Sequence, residues 1–223
     1  MRCALGWACW KTYVSRPEEH WAHGCAMSVL GSGLYNANRL EDSVSVYEAE
    51  LSTILRVGAD EDEILCVRSN LANSYETVGR LEEALRMRED IYSGTLDLLG
   101  EEHFESLQEA NNYADTLCEL KRFGEAKALV LKAMPVARRV IGDDHDLTLK
   151  LRWTYAEVLY KDDGATLADL REAVTTLEDV DRIARRVLGG AHPTTASIKE
   201  ALGESRAALR ARDAVAGELL TLD

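Results

Sequence analysis

The residues best equipped to hold a metal lie close together near the N-terminus: His20, His23 and Cys25. A His-x-x-His spacing puts two imidazoles on one face of a helix, and a nearby thiolate supplies a third zinc ligand. Repetition gives a simpler account. His20, His103, His145 and His192 share one position in a recurring junction, which explains four of the five histidines, so no metal is expected. Phosphate chemistry fares no better. Gly31-Ser32-Gly33 lacks a third glycine and lies inside a helical pattern, where its glycines would serve close helix packing. No hydroxyl or thiol sits in a nucleophile elbow, so neither a catalytic centre nor a cofactor is expected.

What positions the histidines is a repeat. Gly100-Glu101-Glu102-His103 returns 42 residues later as Gly142-Asp143-Asp144-His145. Helix interiors keep that register: Asn70-Leu71-Ala72, then Asn112-Tyr113-Ala114, then Thr154-Tyr155-Ala156. Gly79-Arg80 through Ala84 likewise returns as Lys121-Arg122 through Ala126. Upstream, Leu30, Gly31 and Leu34 take the places of Leu71, Ala72 and Tyr75 at a step of 41. Each copy is a pair of helices. Within 65–100, Val67, Leu71, Ala72 and Tyr75 form one apolar stripe, and Leu81, Ala84, Leu85 and Ile91 form a second. Gly79 between them can take the left-handed conformation that ends a helix. Such a hairpin cannot bury both faces alone and needs stacked copies.

The expected fold class is therefore an all-α solenoid of antiparallel helix hairpins. Its expected segments are a partial repeat or cap at 1–16, repeats at about 17–60, 61–102, 103–144 and 145–191, and a partial or capping repeat at 192–223. In the first segment Leu5 and Ala8 should face inward, and a repeat junction should fall at Pro17–Trp21. The fourth repeat carries five extra residues near 161–167, after which Thr166 and Asp169 have the spacing of a capping box. The last segment has Ile198 and Leu202 in first-helix register, then continues from Ala207 as a frayed terminal helix or solvating cap.

Composition limits the partners. A formal net charge of −13 repels nucleic-acid phosphates and anionic lipid, and no apolar run is long enough to cross a bilayer. Five cysteines without a C-x-x-C pair, and no N-x-S/T acceptor, favour a reducing, cytoplasmic setting. Protein or peptide ligands, or further repeats or domains of a longer chain, are the expected partners.

Leu71-Ala72-x-x-Tyr75, Gly79-Arg80-x-Glu-Glu-Ala84 and the junction Leu188-Gly189-Gly190-Ala191-His192-Pro193-Thr194-Thr195 resemble the longer tetratricopeptide repeats of kinesin light chains and related arrays. The resemblance covers nearly the whole chain. It implies a right-handed superhelix whose inner face holds peptide segments, in a non-catalytic adaptor. At 100° per residue, Ser69, Asn73 and Glu76 lie opposite the buried stripe. One repeat on, the places fall to Asn111, Asp115 and Cys118, with Asn112 and Glu119 beside them. In the fourth repeat they fall to Trp153, Glu157 and Tyr160, with Lys150 one turn earlier. Light-chain inner surfaces take acidic segments bearing a tryptophan, whereas the carboxylates here point to a ligand with basic and apolar residues. A co-chaperone-like carboxylate clamp is a weaker alternative: Asn73, Asn112 and Lys150 fall on its places, but Ser69 and Thr154 stand where cations belong. The rival of a different class is a structural spacer or assembly segment of a larger protein.

Overall fold

The computed structural model describes residues 2–14 and 21–219. Its ten helices are α1 (Arg2–Tyr13), α2 (Trp21–Asn36), α3 (Leu40–Val57), α4 (Glu61–Thr77), α5 (Leu81–Leu99), α6 (Phe104–Glu119), α7 (Phe123–Val140), α8 (Asp146–Lys161), α9 (Leu167–Val187) and α10 (Pro193–Leu219), and no strand forms among the described residues. They fall into two compact units, Met1–Leu98 and Leu99–Asp223.

Two kinds of left-handed reversal cut the chain into hairpins. Inside hairpins, the residues at positive φ are Asn38, Gly79 and Lys121, at 59°, 82° and 58°. All three sit in the same capping motif. The N–H of the next residue (Arg39, Arg80, Arg122) bonds back to the carbonyl five residues earlier (Leu34, Tyr75, Leu117), and the positive-φ residue bonds to Tyr35, Glu76 or Cys118. Two otherwise orphaned carbonyls are satisfied in each case. Between hairpins, Gly58, Gly100, Gly142 and Gly189 take φ of 76–92°, and a Cβ on any of them would meet open space. Backbone conformation, rather than crowding, asks for glycine there.

The helices that follow these junctions start on side-chain caps. The Asp60 carboxylate accepts the Glu63 N–H at 2.9 Å. His103, His145 and His192 each use Nδ1 to accept the N–H two residues on, at 3.2–3.3 Å. The recurring histidine is thus a helix cap in which the imidazole Nδ1 acts as acceptor. Thr166 and Asp169 form the expected reciprocal box, with each side chain accepting the other's backbone N–H.

Small residues mark where helices approach most closely. Ala72, Ala114 and Ala156 on first helices, and Ser43, Ala84, Ala126 and Ala173 on second helices, are all fully buried. Gly31 takes the alanine place in the first repeat because a Cβ there would lie 2.7 Å from the Tyr47 ring. Unit 1 packs Val44, Tyr47, Leu71, Tyr75 and Ala84 into one cluster. Unit 2 builds a larger one from α8, α9 and α10, including Leu149, Leu177, Val180 and Ile198.

One expectation changes. Ala8 is exposed, and α1 instead turns Gly6 inward, where a Cβ would stand 3.0 Å from the α2 backbone at Leu30. Glycine sets the face of α1 because it lets two backbones nearly touch, while the Leu5 side chain lies outside the described residues. The C-terminal segment is one continuous helix, α10, exposed over residues 210–214. The expected junction at Pro17–Trp21 lies outside the described residues up to the start of α2.

One buried group has no charged partner. Glu50 of α3 is 1% exposed; Ser28 of α2 donates to its Oε1, and Oε2 has no partner among the described residues. Burial raises its pKa from 4.5 to about 7, and nearby Glu63 adds to the rise. A carboxyl that is protonated when folded and ionised when unfolded loses stability as pH rises from 4.5 through about 7. Hydrogen exchange of α3 amides should therefore accelerate over that window, by on the order of 3 kcal/mol in local opening free energy, and Glu50→Gln should flatten the dependence. Replacing Ala114 by Trp should destabilise unit 2 by about 1–3 kcal/mol through overpacking, read as a lowered urea midpoint.

Candidate peptide-binding groove

The first helices of unit 2 form a groove. Its walls are α6 and α8, and the turn from α6 into α7 forms one lip, enclosing about 740 Å³. The structure brings eight of the residues anticipated from helical spacing into it: Asn111, Asn112, Asp115, Cys118, Glu119, Lys150, Trp153 and Glu157. Thr154, Phe123, Lys121 and Lys161 complete the lining.

Part of the groove is internally wired. Asp115 accepts from Asn111 Nδ2 of its own helix and from Thr154 Oγ1 of α8, both at 2.8 Å, and the second bond ties α6 to α8 across the floor. Lys150 pairs with Asp146 at 2.6 Å and Lys161 with Glu157 at 2.7 Å. Asn111 Oδ1 and the Trp153 indole N–H are buried without a hydrogen-bond partner among the described residues. Phe123 and Trp153 give the groove two half-buried aromatic surfaces. Three lysines face three carboxylates, so the lining is of mixed charge rather than acidic.

Tyr160 is not part of this groove. It shares a helical stripe with Trp153 and Glu157, yet it is 9% exposed, packs in the core of unit 2 and donates to Glu204 Oε2 of α10 at 2.7 Å. Burial, with Glu204 and Glu157 nearby, raises its pKa. The cause is tertiary: α10 covers the end of α8.

Ser69, Asn73 and Glu76 belong to unit 1, and there two of them have a structural task. Arg88 of α5, 2% exposed, reaches Glu76 with Nε and Nη2, both at 3.0 Å, and donates to Asn73 Oδ1. An arginine fork satisfied in this way locks α5 onto α4. Asn73 also lines a smaller cavity of about 200 Å³ with Ser32, Tyr35, Asn36, Tyr47, Asn70 and Ser74, all amides or hydroxyls. Helical spacing gave no sign of Arg88, because the second helices of other repeats carry apolar residues at its place. Lys161, by contrast, lies eight residues from Trp153 on the same face and was findable by that count.

Paired helices with alanine seams, and a groove walled by neighbouring first helices, define a helical-repeat binding scaffold. Residues 67–105 and 106–168 each match a tetratricopeptide repeat family. Nearly identical TPR-like repeats assigned to a kinesin light chain of Podosopora anserina superpose with a TM-score of 0.71 at 19% identity, covering 91% of this chain and 95% of that one. BtubC (BKLC) from P. vanneervenii gives 0.64 at 16%, over 98% of this chain and 88% of that one. A Rap conjugation gene regulator of plasmid pLS20, in complex with the Phr* peptide, gives 0.56 at 18%, over 96% of this chain and 58% of that one. No curated protein matches the chain. Residues 67–168 carry tetratricopeptide repeats, and the fold of the chain is the one seen in kinesin light chain-like repeat structures.

Cys118 offers a chemical check on the groove. Burial, with Asp115 and Glu157 beside it, pushes its thiol up to about 12, which leaves little thiolate near neutrality. Cys25 and Cys66 are exposed. Iodoacetamide at pH 8 should label Cys25 and Cys66 at least about tenfold faster than Cys118, as followed by peptide mass mapping.

Proposed function

We propose that this protein is a non-catalytic scaffold that binds an extended segment of a partner protein in the groove of unit 2. The observation that carries this reading is the meeting, in one groove of about 740 Å³, of two aromatic surfaces with both signs of charge. Such a surface suits an anchoring apolar side chain flanked by polar contacts. A neighbour of the same fold is known in complex with the Phr* peptide.

The ligand carries a basic residue and an apolar one. Trp153 and Phe123 receive the apolar side chain, while Glu119 receives the cation. The groove lysines make a purely cationic segment a poorer fit than the overall charge of −13 suggests. No cofactor takes part, and the setting is the cytoplasm; among the described residues no helix is long and apolar enough to cross a membrane.

The test is a panel of fluorescent synthetic peptides in matched sets, one bearing Arg and Leu and one bearing Glu and Leu, titrated at two salt concentrations. The Arg set should bind, more weakly at high salt, and Glu119→Lys should lower its affinity about tenfold at low salt. Failure of both sets to bind would overturn this reading and leave the spacer role in its place.

A further inference from the structure

Most charged groups in the groove are spoken for by this chain. Lys150 and Lys161 have ion pairs, Glu157 holds Lys161, and Asp115 is fixed by two hydrogen bonds. Glu119 and Lys121 are different: both are exposed on the lining, and no side-chain hydrogen bond or ion pair of either is seen among the described residues. They bracket the end of α6 at the lip of the groove.

Lys121 also stands at a conformationally awkward place. It occupies the left-handed position of the α6 cap, with φ of 58°. The same position in the two preceding hairpins holds Asn38 and Gly79, residue types that tolerate this conformation. A lysine has no such tolerance, and nothing in the packing requires one, because its side chain points into an open groove. A residue that strains its own backbone and supports no internal contact is best explained by what it offers a ligand.

The geometry points to Lys121 as a specificity-determining residue that, with Glu119, selects a segment carrying an acidic and a basic residue close together. The carboxylate of the ligand meets Lys121 and its cation meets Glu119. This rests on the groove being the binding site, and it adds a requirement which that reading does not contain: the acid. Two unpartnered opposite charges reject a like-charged neighbour as well as attract the correct one, so a segment of either single sign is disfavoured.

Peptides bearing Leu and Arg, with either Glu or the isosteric Gln beside the Arg, are titrated against the wild-type chain, Lys121→Gly and Lys121→Gln. The wild type should bind the Glu peptide about fivefold to tenfold more tightly than its Gln partner at low salt. Both variants should lose that preference while still binding the Gln peptide. Lys121→Gly should also raise the melting temperature by about 2–4 °C by relieving the backbone, whereas Lys121→Gln, which keeps the strain, should not. Equal binding of Glu and Gln peptides by the wild type would overturn the selection and leave the groove reading standing. An unchanged melting temperature in Lys121→Gly would overturn the claim that the lysine is held against its backbone preference. Absence of binding by every peptide would remove the groove reading and this inference with it.

Discussion

The α2–α3, α4–α5 and α6–α7 hairpins, and the four junctions that follow second helices, each depend on a helix being stopped by one residue in the left-handed conformation, whereas the α8–α9 turn reverses without one. A helix that does not stop there carries its apolar stripe past the partner it must bury against, and the alanine contacts between neighbouring helices are lost. Seven residues supply this reversal, and five are glycines. At all five of those glycines a side chain would meet nothing, so the requirement is purely conformational. The capping bonds to Leu34, Tyr75 and Leu117 then fix the angle at which the second helix of each hairpin leaves. With the reversals set, Ala72, Ala114 and Ala156 reach zero exposure against the second helices.

The groove of unit 2 follows from the same constraint. Two first helices, α6 and α8, stand side by side because a second helix reverses the chain between them. Their exposed faces then form two walls. The hydrogen bond from Thr154 of α8 to Asp115 of α6 holds those walls in register, and Asn111 steadies Asp115 from its own helix, which gives a binding surface that is largely preformed. Unit 1 spends comparable positions on its own stability. Asn73 and Glu76 are engaged by Arg88, and the remaining cavity is small and uncharged.

Sequence pattern alone revealed the hairpins, the buried alanines and the capping box, because each is a local rule: a 3.6-residue stripe, a left-handed stop, a short polar spacing. The recurring histidine was visible as a repeat, but its work as a cap needed the Nδ1 geometry. Eight groove residues were legible because helical spacing fixes which side chains share a face. Tyr160 was not, although it obeys the same spacing, because only tertiary structure shows α10 lying over that end of α8. Arg88 was hidden for a related reason. A charged residue inside an otherwise apolar stripe reads as a surface position until its carboxylate and amide partners on the adjacent helix are seen. Ala8 failed because glycine, with the smallest side chain, outweighed alanine in setting the closest face of α1.

The central claim is that the α6–α8 groove of unit 2 is where a ligand sits, and Trp153 is the sole tryptophan of that unit, the others being Trp7, Trp10 and Trp21. A nitrogen–proton correlation spectrum of the indole N–H groups, recorded while a peptide bearing Arg, Glu and Leu is titrated in, reads the groove directly. The account predicts a saturable shift of the Trp153 resonance, which is lost in Trp153→Phe, with the three others unmoved. Saturable binding that leaves Trp153 in place while moving the others would contradict it.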